Sequence, residues 1–314
     1  MRALVTGGAG FIGSHVVDVL LERGHEVVVA DDLSTGREAN IDAAIEQGVT
    51  LVVGDIRDAQ FVDGLLRRER PQVVFHFAAH IDVRVSVSKP RLDADVNVAG
   101  TINMLEAARR SGVRRFVYAS TGGAIYGEGA PPLAEEAPIR PISPYGQAKY
   151  AAEGYCDLYG RLHGLSTINL RLANIYGPRQ DPLGEGGVIA IFCGKLLRGE
   201  RPVVYGDGRQ TRDYVYVGDV AHAALVASAS DAHGAYNVGR GEETSVLELV
   251  EWLRQVGREL GVLGGPSFEP DFAPERQGEI RRNSLDPAKA RAELGFEADT
   301  GLDDGLRRTL RSLE

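Results

Sequence analysis

The sequence predicts an α/β protein, a doubly wound parallel sheet followed by a smaller α+β lobe. Three observations carry this. Six apolar runs, RALVTG, EVVVAD, TLVVGD, QVVFHFA, RFVYAS and STINLRL, are rich in Val, Ile and Phe with little polar alternation. Strands buried on both faces read this way. Segments of helical period separate them, and strand–helix alternation requires right-handed crossovers in one sheet. After about Asn174 the pattern breaks into glycine- and proline-rich loops and short strands.

The first strand runs into TGGAGFIGSH, which places Gly7, Gly10 and Gly13 just before and within a helix expected over Phe11 to Arg23. Glycines there allow a tight turn and close backbone approach to a pyrophosphate, and the helix start offers free N–H groups. The motif gains weight from its order: strand, loop, helix, second strand. That second strand ends in Asp31, at the distance suited to an adenosine ribose hydroxyl. A carboxylate there repels a 2′-phosphate, so NAD is expected over NADP, with Arg37 as a weak opposing signal. A helix is expected over Asp95 to Arg110, between the fourth and fifth strands.

The fifth strand delivers ASTGGAIYGE, where Ser120 and Thr121 sit at the strand end and Gly122-Gly123 follow. Strand C-termini are where open α/β sheets bind ligands. Next comes SPYGQAKYAAEGY, which sets Tyr145 and Lys149 one helical turn apart after Ser143-Pro144. With 11 Tyr and four Lys in 314 residues, this spacing arises by chance about 0.14 times. A neighbouring ammonium, and the positive charge of an oxidised nicotinamide, favour the phenolate and make the pair a proton shuttle. In the second half, helices are expected over Ser245 to Leu260 and Asp286 to Leu294, with the loop GGPSFEPDFAPERQGE between them. DYVYVGDVAHAALVASA is expected to rejoin the sheet, dividing the chain into 1–174 with a return near 213–240, and 175–314.

Composition bounds the rest. The chain is 43% hydrophobic and 25% charged with a formal charge of −9, which disfavours a nucleic-acid surface. No apolar run approaches the ~20 residues of a membrane span. Two cysteines, Cys156 and Cys193, are too few for a disulfide framework or a metal site, so no metal is expected. MRALVTGG begins with a strand-like run and not a leader, which gives a cytoplasmic expectation.

TGGAGFIG, GDIRD, HFAA, YGQAK and RDYVYVGDVA together resemble the extended short-chain dehydrogenase/reductase family, whose sheet is the Rossmann type. RLANIYGPRQDP, PVVYGDGRQTRDYVYV and PERQGEI make the chain most similar to its UDP-glucose 4-epimerase branch. The resemblance covers essentially the whole chain. It implies NAD-dependent 4-epimerisation of a UDP-hexose through a transient 4-keto sugar, with tightly held cofactor. It implies that Gly7, Gly10, Phe11, Ile12 and Gly13 line the pyrophosphate and that Asp31 holds the ribose. Asp55 and Ile56 would flank the adenine, Phe77, Ala78 and Ala79 would border the cofactor, and Asn97, Tyr145 and Lys149 would surround the nicotinamide half. Asn174, Arg212 and Arg276 would meet the diphosphate, Val188 would lie near the nucleotide, and Tyr205 would lie against the uracil. A homodimer built by a four-helix bundle is also implied.

Two departures from the family pattern matter. The family places Ser or Thr four residues before the tyrosine of VYG; here that tyrosine is Tyr126 and the position is Gly122. Thr121 is the expected substitute as third catalytic group, although a regular strand would point it away from position 122. The absent side chain at Gly122 is expected to leave room for water or a moving sugar. Gly123 stands where a 4,6-dehydratase carries an acid/base residue, so dehydration is disfavoured. The position linked to sugar bulk in the family is Asn283, seven residues after the arginine of Arg276-Gln-Gly-Glu279, and its intermediate size leaves hexoses and N-acetylhexoses both open. A UDP-glucuronate epimerase or decarboxylase, and a non-catalytic NAD-sensing scaffold, remain the competing readings.

Overall fold

The computed structural model describes residues 1–182, 187–263, 268–276 and 280–314. Its centre is a seven-stranded, wholly parallel sheet. We number its strands β1 (Arg2–Thr6), β2 (Glu26–Asp31), β3 (Thr50–Val53), β4 (Val73–His76), β5 (Arg115–Thr121), β6 (Ser166–Leu172) and β7 (Gly234–Val238). The order is β7-β6-β5-β4-β1-β2-β3. The chain therefore winds one way from β1 to β3 and then starts again on the other side of β1. The crevice between the ends of β1 and β4 is the topological switch point, where such sheets bind ligands.

The main helices are α1 (Phe11–Glu22), α2 (Ala59–Glu69), α3, α4 (Pro144–His163), α5 (Val188–Leu197), α6 (Val217–Ala229), α7 (Val246–Leu260) and α8 (Leu302–Arg311). Here α3 is one continuous run, α-helical at Pro90–Ala94, a π-turn at Asp95–Gly100, and α-helical again at Thr101–Arg110. Alternate strand residues go to opposite faces. Ala3, Val5, Val27, Val29, Val117 and Ile168 pack with α1 and α6. Leu4, Val28, Val74, Phe116 and Tyr118 pack with α2, α3 and α4. A third apolar cluster joins α5, α7 and α8 through Phe192, Val204, Leu249, Leu253 and Leu306.

All six expected strands form, but TLVVGD is not buried on both faces. As the last strand of its wing β3 is an edge, and Thr50 and Val53 are exposed. The return segment rejoins the sheet lobe without its Tyr214–Tyr216 strand entering the sheet, since that strand pairs with Asn174–Tyr176; α6 packs on the sheet and the chain after it adds β7 beside β6. The helix expected from Asp286 begins later, because the Asp286 backbone N–H goes to Leu133 O and its carboxylate receives the Ala288 N–H at 2.9 Å. The C-terminal helix α8 was not expected from the sequence.

A buried polar network ties β5, β6, β7 and α4 together behind the site. Arg171 and Glu153 form a buried ion pair at 2.9 Å. Arg171 Nη1 also donates to Tyr126 Oη and to Glu135 O, both at 2.9 Å. Tyr126 donates in turn to Asn237 Oδ1 at 2.9 Å. Breaking such a pair from one side strands the other charge. Glu153→Ala should lower unfolding stability by about 3 kcal/mol in a denaturant titration, while an apolar substitution on the exposed face of α4 should not.

Candidate active site

The glycine loop is fixed by close backbone contacts. Gly7 has φ +69°, and a Cβ there would lie 2.6 Å from Ala78 N; one on Gly13 would lie 2.1 Å from Gly7 O. The loop is thus a cradle that only glycine can form, pressed against Phe77-Ala78 at the end of β4. Phe77 N donates to Thr6 O at 3.0 Å, and Ala78 N to Thr6 Oγ1 at 3.3 Å, which fixes that second wall. Gly10 caps α1 with no side chain over its N-terminus, next to Phe11 and Ile12. These features fit a dinucleotide pyrophosphate. Asp31 stands at the end of β2, its carboxylate accepting from Ala9 N at 3.0 Å and Leu33 N at 2.9 Å. Burial raises its pKa, against those two hydrogen bonds. Arg37 points away to Asp181, at 2.9 Å.

Asp55 is engaged by Arg57 through a two-pronged ion pair, and Ile56 packs over Gly100 of the α3 π-turn. Asn97, on that π-turn, is buried with its amide fully used. Its Oδ1 accepts from His80 N at 3.0 Å, and its Nδ2 donates to His80 O at 2.9 Å and Asp93 Oδ1 at 3.1 Å. It latches the segment that follows Ala79.

Tyr145 and Lys149 lie on the first turns of α4. Pro144 opens this helix, and Ser143 caps it by accepting from Gly146 N at 3.1 Å. Ser86 Oγ accepts from Tyr145 N at 3.3 Å. Lys149 is buried and donates to Ala119 O of β5 at 2.8 Å. The Thr121 hydroxyl lies close enough to the Tyr145 phenol to favour its ionised form. The three expected catalytic groups lie at the end of β5 and the start of α4, with Thr121 near the phenol and Lys149 anchored on Ala119 O. Their electrostatics differ from expectation. Burial pushes the phenol up to about 12, and the Thr121 hydroxyl only partly offsets it. Burial also pulls Lys149 down to about 8. Desolvation outweighs the groups that favour the phenolate.

Position 122 is where the sequence reading needs correction. β5 ends at Thr121 and the chain turns into a short helix, Gly122–Ile125. Gly122 faces inward: a Cβ there would lie 2.4 Å from Leu285 Cδ1. No space for water or sugar exists at Gly122; Leu285 fills it. Thr121, pointing the other way, reaches Tyr145 because position 122 faces the core. Gly123 is the residue that faces the site, with a Cβ position 3.6 Å from Asn174 Oδ1 and 3.8 Å from Thr121 Oγ1. Asn174 Oδ1 is buried and has no hydrogen-bond partner, as a group kept for a ligand would be.

Leu285 is held by Asp213, which the RDY motif contained but sequence reasoning passed over. The buried Asp213 carboxylate accepts from Arg240 N at 3.0 Å, Gly241 N at 3.1 Å and Leu285 N at 3.2 Å. Burial raises it to about 6 against these three bonds. Asn283 is buried with its Nδ2 donating to Gly122 O at 3.4 Å, so its amide braces the same corner.

The remaining substrate-side residues are less gathered. Arg212 Nη1 donates to Thr211 O at 2.7 Å and Ile280 O at 2.8 Å. The Arg276 guanidinium stacks 3.8 Å over the Tyr205 ring, so two residues expected to meet different parts of one ligand meet each other. Val188 is the half-buried first residue of α5. Part of the YGPRQDPLGEGG loop (183–186), part of the GGPSFEPDFAPERQGE loop (264–267) and residues 277–279 of the Arg276-Gln-Gly-Glu279 motif lie outside the described residues. Among the described residues, no three His, Cys, Asp or Glu side chains converge as a metal set, and no helix is long and apolar enough to cross a membrane.

Comparison with known proteins bears on this geometry. A sequence profile of the NAD dependent epimerase/dehydratase family matches residues 3–239. A UDP-glucose 4-epimerase of Mycolicibacterium smegmatis is 46% identical over 313 residues, 99% of this chain and 97% of that one. A crystal structure of UDP-glucose 4-epimerase with UDP-glucose from Thermotoga maritima superposes with TM-score 0.94 at 42% identity, covering 100% of this chain and 98% of that one. The Thermus thermophilus UDP-glucose 4-epimerase in complex with NAD gives TM-score 0.91 at 45% identity, covering 99% and 98%.

Gly122→Ser should lower stability by about 1–3 kcal/mol through collision with Leu285, and Leu285→Ala in the same chain should recover part of the loss in thermal denaturation. The raised Asp213 carboxyl binds its proton more tightly folded than unfolded, so its contribution favours the folded state at acid pH. That contribution is lost as pH rises from about 3.8 to about 6. The slope should vanish from the pH dependence of unfolding in Asp213→Asn.

Proposed function

The chain belongs to the NAD dependent epimerase/dehydratase family, and from this premise we propose that it interconverts UDP-glucose and UDP-galactose by NAD-dependent 4-epimerisation. The observations that support the reading are Tyr145 and Lys149 on the first turns of α4, with Lys149 anchored on β5 and Thr121 near the phenol, and a glycine cradle that fits a pyrophosphate.

Bound NAD supplies the acceptor and donor of hydride at the sugar carbon. The chain does the rest. Gly7, Gly10, Gly13 and Asp31 hold the adenosine diphosphate half, with Phe77, Ala78 and Ala79 as the facing wall. Tyr145 takes the proton from the sugar 4-hydroxyl and returns it, with Thr121 bonded to both oxygens in turn. Lys149, one turn on from Tyr145 and bonded to Ala119 O, would supply positive charge that, with the cofactor's, must overcome the burial that holds the phenol protonated. Asn174 binds the substrate through its unpartnered Oδ1. Gly123 keeps a side chain out of the space above Thr121, which a turning sugar needs. The same glycine removes the acid/base residue that dehydration requires.

The reading extends to the assembly: a cytoplasmic homodimer, with no nucleic-acid or membrane partner. Tyr155 and Leu162 are exposed on one face of α4 although apolar, and they offer that face for a second copy. Residues 1–174 with 213–240 act as the cofactor lobe, and the remainder of 175–314 as the UDP-sugar lobe.

Incubation with UDP-galactose and separation of the products tests the proposal: UDP-glucose should form without added oxidant, and formation of a 4-keto-6-deoxy sugar instead, or turnover of UDP-glucuronate but not of UDP-galactose, would overturn it. Tyr145→Phe should lose ~10²–10⁴-fold in turnover while retaining NAD, and Thr121→Ala should lose ~10²-fold.

A further inference from the structure

The mechanism above needs Lys149 as an ammonium in a place where a charge is costly. Lys149 is 4% exposed, and burial draws such a group toward the neutral amine. Among the described residues its one hydrogen bond is to Ala119 O at 2.8 Å. The carboxylates on the elements around it are committed elsewhere. Glu153, one turn on in α4, pairs with Arg171 at 2.9 Å. Asp93, on the part of α3 that packs against α4, bonds to His80 Nδ1 at 3.0 Å. Neither pairs with the lysine.

What lies against the ammonium is a ring. Lys149 Nζ sits over the face of Tyr118 on β5, 5.0 Å from the ring centroid. A ring quadrupole attracts a cation at this range, and the attraction grows as water is removed. The ring is fixed: Tyr118 is buried in the apolar cluster between the sheet and α4, with the His76 ring of β4 at 5.8 Å. Consecutive residues of β5 thus hold one ammonium, Tyr118 by its ring face and Ala119 by its carbonyl.

The other titratable groups around Lys149 do not replace this contact. On α4, Cys156 stays a thiol through burial, Asp157 takes the Asn169 amide at 3.1 Å, and Tyr145 is the group to be ionised. His76 is kept neutral, and Arg171 of β6 is matched by Glu153. Arg84 of the short helix Val83–Ser88 is exposed, and Gly122–Ile125 carries no charge. Glu106, Arg109 and Arg110 of α3 cluster around Tyr159, toward the other end of α4.

We propose that Tyr118 is a positioning residue for the reaction, its ring face keeping Lys149 charged and in register one turn from Tyr145. A carboxylate in that place would hold the ammonium more firmly, but its own negative charge would oppose the phenolate. A ring carries no net charge, so it stabilises the cation without cancelling the cation's field. The use of this contact in turnover rests on the epimerase reading; the contact itself does not.

The chain has four lysines, Lys89, Lys149, Lys195 and Lys289, so a ¹³C label at lysine Cε gives few signals. The one missing from Lys149→Met belongs to Lys149. Tyr118→Leu removes the ring face and should lower the Lys149 titration midpoint by about 0.5–1.5 pH units, because the charged form loses its partner. Tyr118→Phe keeps the face and should keep the wild-type midpoint. An unmoved midpoint in Tyr118→Leu overturns the proposal. So does a shift in Tyr118→Phe as large as that in Tyr118→Leu, which would assign the effect to the hydroxyl. If Tyr118→Leu does not fold, a trifluorinated phenylalanine installed at position 118 keeps the ring shape and weakens its π-face; the midpoint should fall there too, and an unmoved one overturns the proposal. With UDP-galactose, the alkaline limb of the kcat profile should move to lower pH in whichever of these proteins shows the lowered midpoint. A lowered midpoint with an unmoved limb means the reaction does not use the contact, and overturns the positioning role. Absence of turnover in the wild-type protein would be a failure of the epimerase reading instead, and the lysine titration alone then judges the contact.

Discussion

The site depends on one packing contact, Leu285 against the bare backbone of Gly122. β5 must end so that Thr121 turns its hydroxyl toward Tyr145, and the chain must leave the sheet immediately afterwards. Leu285 fixes the inner side of that corner and Asn283 braces its carbonyl. Asp213 in turn holds the Leu285 backbone together with residues 240 and 241. The chain that follows β7 and the chain that precedes α8 are thereby tied to the strand end that carries Thr121. The strand end beside Tyr145 is thus shaped by residues about 140 places away from it in sequence.

Electrostatics at the site are governed by burial before they are governed by charge. Tyr145 and Lys149 are drawn toward their neutral forms, the phenol upward and the amine downward. His76, buried beneath them between Thr6 and Thr101, is pulled to about 3 by burial and the nearby Lys149, and so adds no competing positive charge. The cost of keeping polar groups dry is met by hydrogen bonds to fixed backbone, as with Lys149 and Ala119 O. Such a site is inert until charge of the right sign is brought to it.

What the sequence made legible were local patterns with a physical period or spacing. The glycine loop, the strand-end Asp31 and the Tyr145–Lys149 turn are each encoded within a few residues, and all appear where expected. The strand runs were equally clear, because burial on both faces leaves a continuous apolar signature; β3 was misread only as to its edge. The obscure features are contacts between distant segments. Nothing near Gly122 announces Leu285, and nothing near His80 announces Asp93. Position 122 looked like a gap because a missing side chain reads the same whether the space is open or filled by another part of the chain. The helix starting after Asp286 was displaced by a backbone bond to Leu133, again a partner about 150 residues away.

The Arg276–Tyr205 stack gives the substrate lobe an internal competitor. A flat cation already lies on one face of the ring at 3.8 Å, so a flat base arriving there exchanges one stacking partner for another and gains little by the exchange itself. The displaced guanidinium needs a new counterpart, and a diphosphate attached to the base provides one within the same molecule. A nucleoside brings the base without that counterpart. If this stack is where a nucleotide binds, the base and the phosphates would each make the other's binding worthwhile, and a fragment carrying only one of them would gain less.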